Sequence, residues 1–281
     1  MIRSHFNILL VDDEPDVLTI SKLAMHNFKV YGLPINIYTA SSKAEAIELI
    51  NSTLLPSPMP GHNFAVAFID VVMESDTAGL ELCQYIRETL KNREVQLYIR
   101  TGQPGIAPER DVLDRYDING YFTKAEATED KLYSLGKSGV RENCFISSAT
   151  VLNKMTHAMI AASDSRNAMS YALLHAKEYL SFEEDMKSGF IFRDRIHCAN
   201  CSIEEIATLR DELDVLDSIA LNTEGDKYVI DGKRLLVKIA ASPTTAELYL
   251  VLETFAPPPD FFVLLFYQML KSMSMLWKKA S

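Results

Sequence analysis

The chain has 281 residues, 48% of them hydrophobic and 23% charged, with a formal net charge of −10. That length and composition suit two ordinary globular domains and exclude disordered, collagen-like and disulfide-built classes. The acid excess is shared, 11 Lys and Arg against 16 Asp and Glu up to Lys124 and 17 against 22 beyond it, so neither half carries the basic footprint of a nucleic-acid binder.

The opening MIRSHFNILLVDDEPD has an apolar window of only about six residues before acids arrive, too short for the core of a signal peptide. A cytoplasmic protein is expected, and four scattered cysteines (Cys83, Cys144, Cys198, Cys201) agree with free thiols in a reducing compartment. Up to about residue 124, short β-rich runs alternate with helical periodicity, the pattern of βα units around a parallel sheet. Five strands are predicted: FNILLV (6–11), INIYTA (35–40), FAVAFI (64–69), VQLYIR (95–100) and GYFT (120–123). Helical segments fall between them at DVLTISKLAMHNF, SKAEAIELINSTL, AGLELCQYIRETLKN and APERDVLDRYD, and LPSPMPGHN (55–63) is a Pro-rich connection.

From about residue 126 the rhythm changes. Phe145, Ala149, Leu152, Met155, Met159 and Ala162 recur at spacings of three and four, which predicts a long connector helix. The remainder predicts a helix at NAMSYALLHAKEYL, a strand at GFIFRDRI, a helix at IEEIATLRDELDVLDSIAL, and antiparallel strands at KYVIDGKRLLVKIA and AELYLVLETF. A closing helix follows APPPD, with Pro in its first turn. The expected organisation is a first domain at 1–135, a connector at 136–166 and an α+β domain at 167–281. FFVLLFYQML (261–270) falls short of the ~20 residues that cross a bilayer and reads as a core or interface helix. With the Met-rich MLKSMSMLW after it, that helix carries more apolar surface than one face can bury, so a homodimer through it is expected. In HCANC (197–201), His197, Cys198 and Cys201 have ligand chemistry, but no second cysteine pair completes a zinc set, so buried thiols are the simpler reading.

The chemistry sits at the strand ends. FAVAFI runs into Asp70, and an ionised carboxylate at the edge of a core costs several kcal/mol unless something pairs with it. VDDE places Asp12 and Asp13 at the same edge, and three carboxylates together call for a cation; oxygen ligands with room for water favour Mg²⁺. The fourth strand ends on Thr101 and the fifth on Lys124, which completes a phosphoryl-transfer constellation with a carboxylate nucleophile. A doubly wound sheet collects its ligands at these carboxyl ends.

From residue 6 to about 135 these residues resemble the receiver domain of two-component response regulators. The resemblance implies that Asp70 accepts a phosphoryl group from a histidine kinase. It implies that Asp12, Asp13, Asp70 and the backbone carbonyl of Val72 hold Mg²⁺, that Thr101 and Lys124 contact the phosphoryl group, and that Tyr121 is the switch aromatic. The sequence departs from the family at Glu74 and at Ala125, where Pro is usual, and its glycine comes one residue late, at Gly79. DVVMESDTAGLEL and RTGQPGIAPERDVLDRYDINGYFTKAE look like a subfamily in which an uncharacterised, GAF-like domain follows and an HD-GYP cyclic-di-GMP phosphodiesterase often comes after it. No HD-GYP, GGDEF or EAL signature appears, so the expectation is a response regulator that is not itself an enzyme. Two alternatives stand beside it: a small-ligand sensor that dimerises through its receiver, and the regulatory part of a phosphodiesterase.

Overall fold

The computed structural model describes residues 5–54, 64–102, 109–162, 187–192, 195–199, 202–213, 215 and 218–279. The predicted Pro-rich connection and the helix at 167–180 therefore lie outside the described residues. The chain separates into two compact units, one spanning His5–Ser147 and the other Ser148–Ser281.

In chain order the first unit holds β1 (Phe6–Val11), α1 (Pro15–Met25), β2 (Lys29–Val30), β3 (Leu33–Ala40), α2 (Lys43–Leu54), β4 (Phe64–Asp70) and α3 (Ala78–Gln84). After a π-helical turn at Tyr85–Thr89 come β5 (Gln96–Thr101), α4 (Glu109–Tyr116), β6 (Gly120–Thr123) and the start of α5 (Glu129–Ala162). The sheet order is β2-β3-β1-β4-β5-β6. Five strands are parallel; the two-residue β2 pairs antiparallel with β3 and was not predicted. It is too short to show periodicity, and the turn that makes it passes through Tyr31 and Gly32 at positive φ.

β1 and β4 are buried along their whole length, which is why they read as continuous apolar runs rather than alternating ones. Alternation divides their side chains between two faces. Leu9, Val11, Ala67, Ile69, Leu97 and Ile99 pack with Ala46 and Ile50 of α2, Leu82 of α3 and Val112 of α4. The opposite face carries Phe68 stacked on Tyr98 at 5.5 Å, and α5 lies close over it. A Cβ added at Gly139 would stand 2.7 Å from Val66 Cγ2, so only glycine allows that approach. The even-numbered residues that continue this second face past the core are Asp12, Asp70 and Arg100.

The second unit contains β7 (Ser188–Phe192), β8 (Arg195–Ala199), α6 (Ile203–Leu213), β9 (Ile219–Ala220), β10 (Lys227–Asp231), β11 (Arg234–Ile239), β12 (Leu248–Glu253) and α7 (Asp260–Lys279). Its strands form an antiparallel sheet in the order β8-β7-β12-β11-β10-β9, so this half is α+β. The single strand expected at 189–196 is a hairpin of two. The helix expected to run to Leu221 ends at Leu213, and Ile219–Ala220 joins the sheet edge instead. Ile191, Ile206, Val229, Leu236, Tyr249 and Val251 form the core under α6.

The closing helix is packed against its own domain along much of its apolar surface. Phe262, Val263, Phe266, Tyr267, Met269, Leu270 and Met273 are all buried within the chain, and among the large apolar residues described on α7 only Leu264 and Met275 are exposed. Part of the apolar surface that motivated a homodimer is thus covered within the chain, Phe261 and Leu265 are half-buried, and the side chains of Leu276 and Trp277 lie outside the described residues. Ser274, a small residue, lets the last turns lie against the β11–β12 connection, where its amide carbonyl accepts from Ala246 N and its hydroxyl donates to Ala246 O. No helix among the described residues is long and apolar enough to cross a membrane.

Candidate functional site

β1, β4, β5 and β6 deliver their last side chains to one edge of the first unit. Asp12, the residue after β1, is fully buried; Asp70 closes β4 and is 3% exposed; Thr101 closes β5 and is fully buried. Lys124 follows β6 at the head of a 3-10 turn, Lys124–Glu126. Glu126 accepts from both the amide and the hydroxyl of Thr123, at 2.7 and 2.8 Å, and so fixes the backbone where the family has Pro after the lysine.

Lys124 Nζ lies 2.7 Å from Asp70 Oδ2, 3.1 Å from Asp12 Oδ2 and 2.6 Å from Glu14 Oε1. Carboxylate oxygens of Asp12, Asp13, Glu14 and Asp70 all lie within 4.8 Å of one another. Glu14 was not predicted as a site residue, although VDDE displays it. It sits at the N-cap of α1 before Pro15, a position with no obvious chemistry until Lys124 is seen to reach it. Arg100 was also missed. Its side chain is sealed from solvent, and Nη2 meets Asp12 Oδ2 at 2.9 Å.

Burial raises the Asp70 carboxyl above the ordinary range, the Lys124 hydrogen bond and charge pull it partly back, the nearby Asp12 charge adds to the rise, and the Val71 amide opposes it slightly. For Lys124 burial disfavours the charge, but hydrogen bonds to Asp70, Glu14 and Asp12 outweigh it and hold the ammonium above its usual value. The Lys124 hydrogen bond and charge hold Glu14 below the usual carboxylate range.

The remaining predicted site residues are placed as follows. Val72 lies two residues beyond Asp70, with its side chain packed on the core shared with α2–α4. Tyr121 packs half-buried against that same core, on the sheet face away from Asp70. The loop after Asp70 is pinned from two directions. Glu74, in the family's Pro position, accepts from the Lys43 amide at 3.1 Å and so ties the loop to the start of α2. Gly79 is required by closeness rather than φ, because a Cβ there would stand 1.8 Å from the Asp70 carbonyl oxygen. Side chains in the HCANC stretch lie outside the described residues.

One observation bears on what the pocket can hold. Asp70 Oδ1 is buried and has no hydrogen-bond partner among the described residues. A desolvated carboxylate oxygen left bare beside three further carboxylates fits an all-oxygen divalent-cation site. Asp13, Asp70 and Glu14 can contribute to such a site, with Asp12 beside them.

The order β3-β1-β4-β5-β6 is that of a doubly wound flavodoxin-like sheet, with the acids outside its carboxyl ends at the switch in strand order. Residues 5–147 therefore have a flavodoxin-like, doubly wound α/β fold.

No family model matches the chain. A curated relative is 36% identical over 169 residues: the 3′3′-cGAMP-specific phosphodiesterase 2 of Vibrio cholerae. The match covers 59% of this chain and 31% of the relative, so the chain spans about a third of that protein's length. Among solved structures, the adenylate cyclase of Rhodopirellula baltica is similar over 53% of this chain and 98% of its own, with 20% identity and a TM-score of 0.42. The signal receiver domain of an HD domain-containing protein from Pseudomonas fluorescens is similar over 50% and 90%, with 15% identity and a TM-score of 0.39. The Mn²⁺-bound form of a response regulator is similar over 47% and 90%, with 14% identity and a TM-score of 0.36. The expectation that the chain is not itself an enzyme is corrected by the first of these: a relative matching 59% of this chain is a phosphodiesterase.

Proposed function

We propose that the receiver accepts a phosphoryl group on Asp70 and that the resulting acyl phosphate regulates phosphodiesterase activity toward a cyclic dinucleotide. The observation that carries the first part is the bare, buried Oδ1 of Asp70 next to an oxygen held by Lys124. A carboxylate oxygen with no donor is an available nucleophile, and Lys124 orients the group through the other oxygen. Transfer from a phosphohistidine forms the Asp70 O–P bond and breaks the donor's N–P bond, and the departing imidazole takes up a proton. Asp13 and Asp70, with the Val72 carbonyl, would hold Mg²⁺, which when bound would offset the charge on the phosphoryl oxygens. Lys124, already bonded to three carboxylates, turns toward the new oxygens, and the Thr101 hydroxyl at the adjacent strand end offers them a donor. Adding about −2 charge where a carboxylate stood draws both groups inward and moves the loops that carry them. α5, which leaves the receiver and continues to Ala162, is the element proposed to carry that change into the second domain.

The phosphodiesterase part rests on the curated relative. Intact-mass measurement after treatment with acetyl phosphate and Mg²⁺ tests the first part: one phosphoryl group is expected on the wild type and none on Asp70→Asn. Hydrolysis of 3′3′-cGAMP, compared between those two proteins under the same treatment, tests the second. Equal labelling of wild type and variant overturns the assignment of Asp70.

A further inference from the structure

We propose that Arg100 sets how tightly the acid pocket binds a divalent cation, by holding Asp12 in a sealed ion pair. The inference rests on the reading of the pocket as a cation site. Arg100 occupies an inward-facing position on β5, directly beside Asp70 in the strand register, on the face otherwise filled by Val66, Phe68 and Tyr98. A guanidinium in such a place is costly unless it is paired and hydrogen-bonded.

Here it is both. Nη2 donates to Asp12 Oδ2 at 2.9 Å, Nη1 donates to Ser21 Oγ on α1 at 2.6 Å, and the two side chains are 1% and 0% exposed. Arg100 Nε, also buried, has no partner among the described residues, so the group is tied down from one side only.

The two cations of the pocket differ in kind. Lys124 is partly exposed and shares its charge among Asp12, Glu14 and Asp70 on a flexible four-carbon stem, so an incoming cation can displace it. Arg100 has no route to solvent and stays. Asp12 is correspondingly occupied: Oδ2 meets Arg100 and Lys124, while Oδ1 accepts from the Glu14 amide at 3.0 Å and from Lys124 at 3.2 Å. A cation seated by Asp13 and Asp70 therefore meets a neighbouring carboxylate whose charge is already offset. Arg100 is a positioning residue: it fixes Asp12 and keeps the pocket from binding the ion as tightly as four unopposed carboxylates would.

Isothermal titration of the metal-free protein with Mg²⁺ provides the test. Arg100→Met is expected to bind Mg²⁺ about tenfold more tightly than wild type, because a positive charge a few ångströms from a divalent ion has been removed. Its thermal midpoint without Mg²⁺ is expected to fall and to rise more on Mg²⁺ addition than the wild type's does. Arg100→Lys, which keeps the charge, is expected to restore wild-type affinity. Should Arg100→Met fail to fold, Arg100→Gln removes the same charge and carries the same expectation. Wild-type or weaker Mg²⁺ affinity in the neutral variant overturns the role of Arg100 while leaving the cation site standing. A wild type that binds no Mg²⁺ overturns the site and this inference together.

Discussion

Each half of the molecule buries an aspartate at a strand end and brings a lysine to it, and the two aspartates have opposite fates. Asp226, at the turn before β10, has no exposed surface, yet all its acceptor capacity is used. Oδ1 accepts from the Ala240 amide at 2.7 Å; Oδ2 accepts from Lys271 at 2.7 Å, Asn222 at 2.7 Å and Tyr267 at 3.0 Å. Burial alone would raise this carboxyl, but the Lys271, Ala240, Asn222 and Tyr267 bonds together hold it below its ordinary value. Asp70 is similarly buried but leaves Oδ1 bare, and its carboxyl is raised. The comparison separates a carboxylate whose two oxygens are both met by donors from one whose charge is only partly met: burial is common to both, and the difference is how many donors meet the charge.

The largest expected effect that would break this contrast is at Asp226. Asp226→Ala strands Lys271 and Tyr267 beside an emptied site and unties α7 from the β9–β10 turn. It should lower the stability of the second domain by about 3 kcal/mol, the usual cost of removing one partner from a buried pair, read as a lowered denaturant midpoint. A loss under about 1 kcal/mol would mean that the network adds little to the fold.

Gly79→Ala comes next, because it perturbs Asp70 through the backbone without touching its charge. A methyl group 1.8 Å from the Asp70 carbonyl oxygen cannot be accommodated without moving the end of β4. The expected cost is up to about 3 kcal/mol, together with weakened Mg²⁺ binding that Gly79→Ser shares. Normal Mg²⁺ affinity in both variants would show that the loop adapts independently of the site.

The smallest effect is the pH dependence, and it sharpens the comparison most because the two signs are opposite. Asp226 has a depressed folded value, so its contribution is present above the unfolded carboxyl value of about 3.9 and is lost as pH falls through the folded one. Asp70 has a raised folded value, so its contribution is present below about 3.9 and is lost as pH rises through the folded one. Asp226→Asn should therefore flatten the acid-side loss of stability. Asp70→Asn should remove an opposing slope at slightly higher pH. It should leave the metal-free first unit no less stable at neutral pH, since Lys124 keeps Asp12 and Glu14. Thermal midpoints from pH 3 to 7 for the two variants check both signs; parallel curves would refute the contrast.

Much of the first unit was legible before the structure. β1 and β6 have the predicted limits, and the strands at 33–40, 64–70 and 96–101 differ from expectation by two residues or fewer. Parallel strands buried on both faces produce unbroken apolar runs whose polar terminators stand out, and in this chain those terminators form the acid cluster. The second domain was harder to read. The helix predicted through Leu221 stops at Leu213 because acidic and apolar residues continue the helical rhythm beyond the point where Ile219–Ala220 finds a sheet edge, and tertiary pairing overrides local periodicity. The apolar richness of α7 was visible, but composition shows only how much surface must be covered, and it took the fold to show that the sheet of its own domain covers part of it.

What the chain determined by itself is therefore local and periodic: strand, helix and the carboxylates where strands emerge, because side-chain alternation and helical spacing are written in neighbouring residues. What only the tertiary structure decided is how many partners each charge meets. Arg100 reaches Asp12 across 88 positions of sequence and Lys271 reaches Asp226 across 45. Glu14 joins Lys124 only because two strand ends coincide. A charge's surroundings depend on which distant groups the packing brings within about 3 Å, and no short-range pattern encodes that. For this reason Asp70 could be picked out in the sequence as a residue needing a partner, while its bare oxygen could be seen only once the fold had placed the surrounding donors.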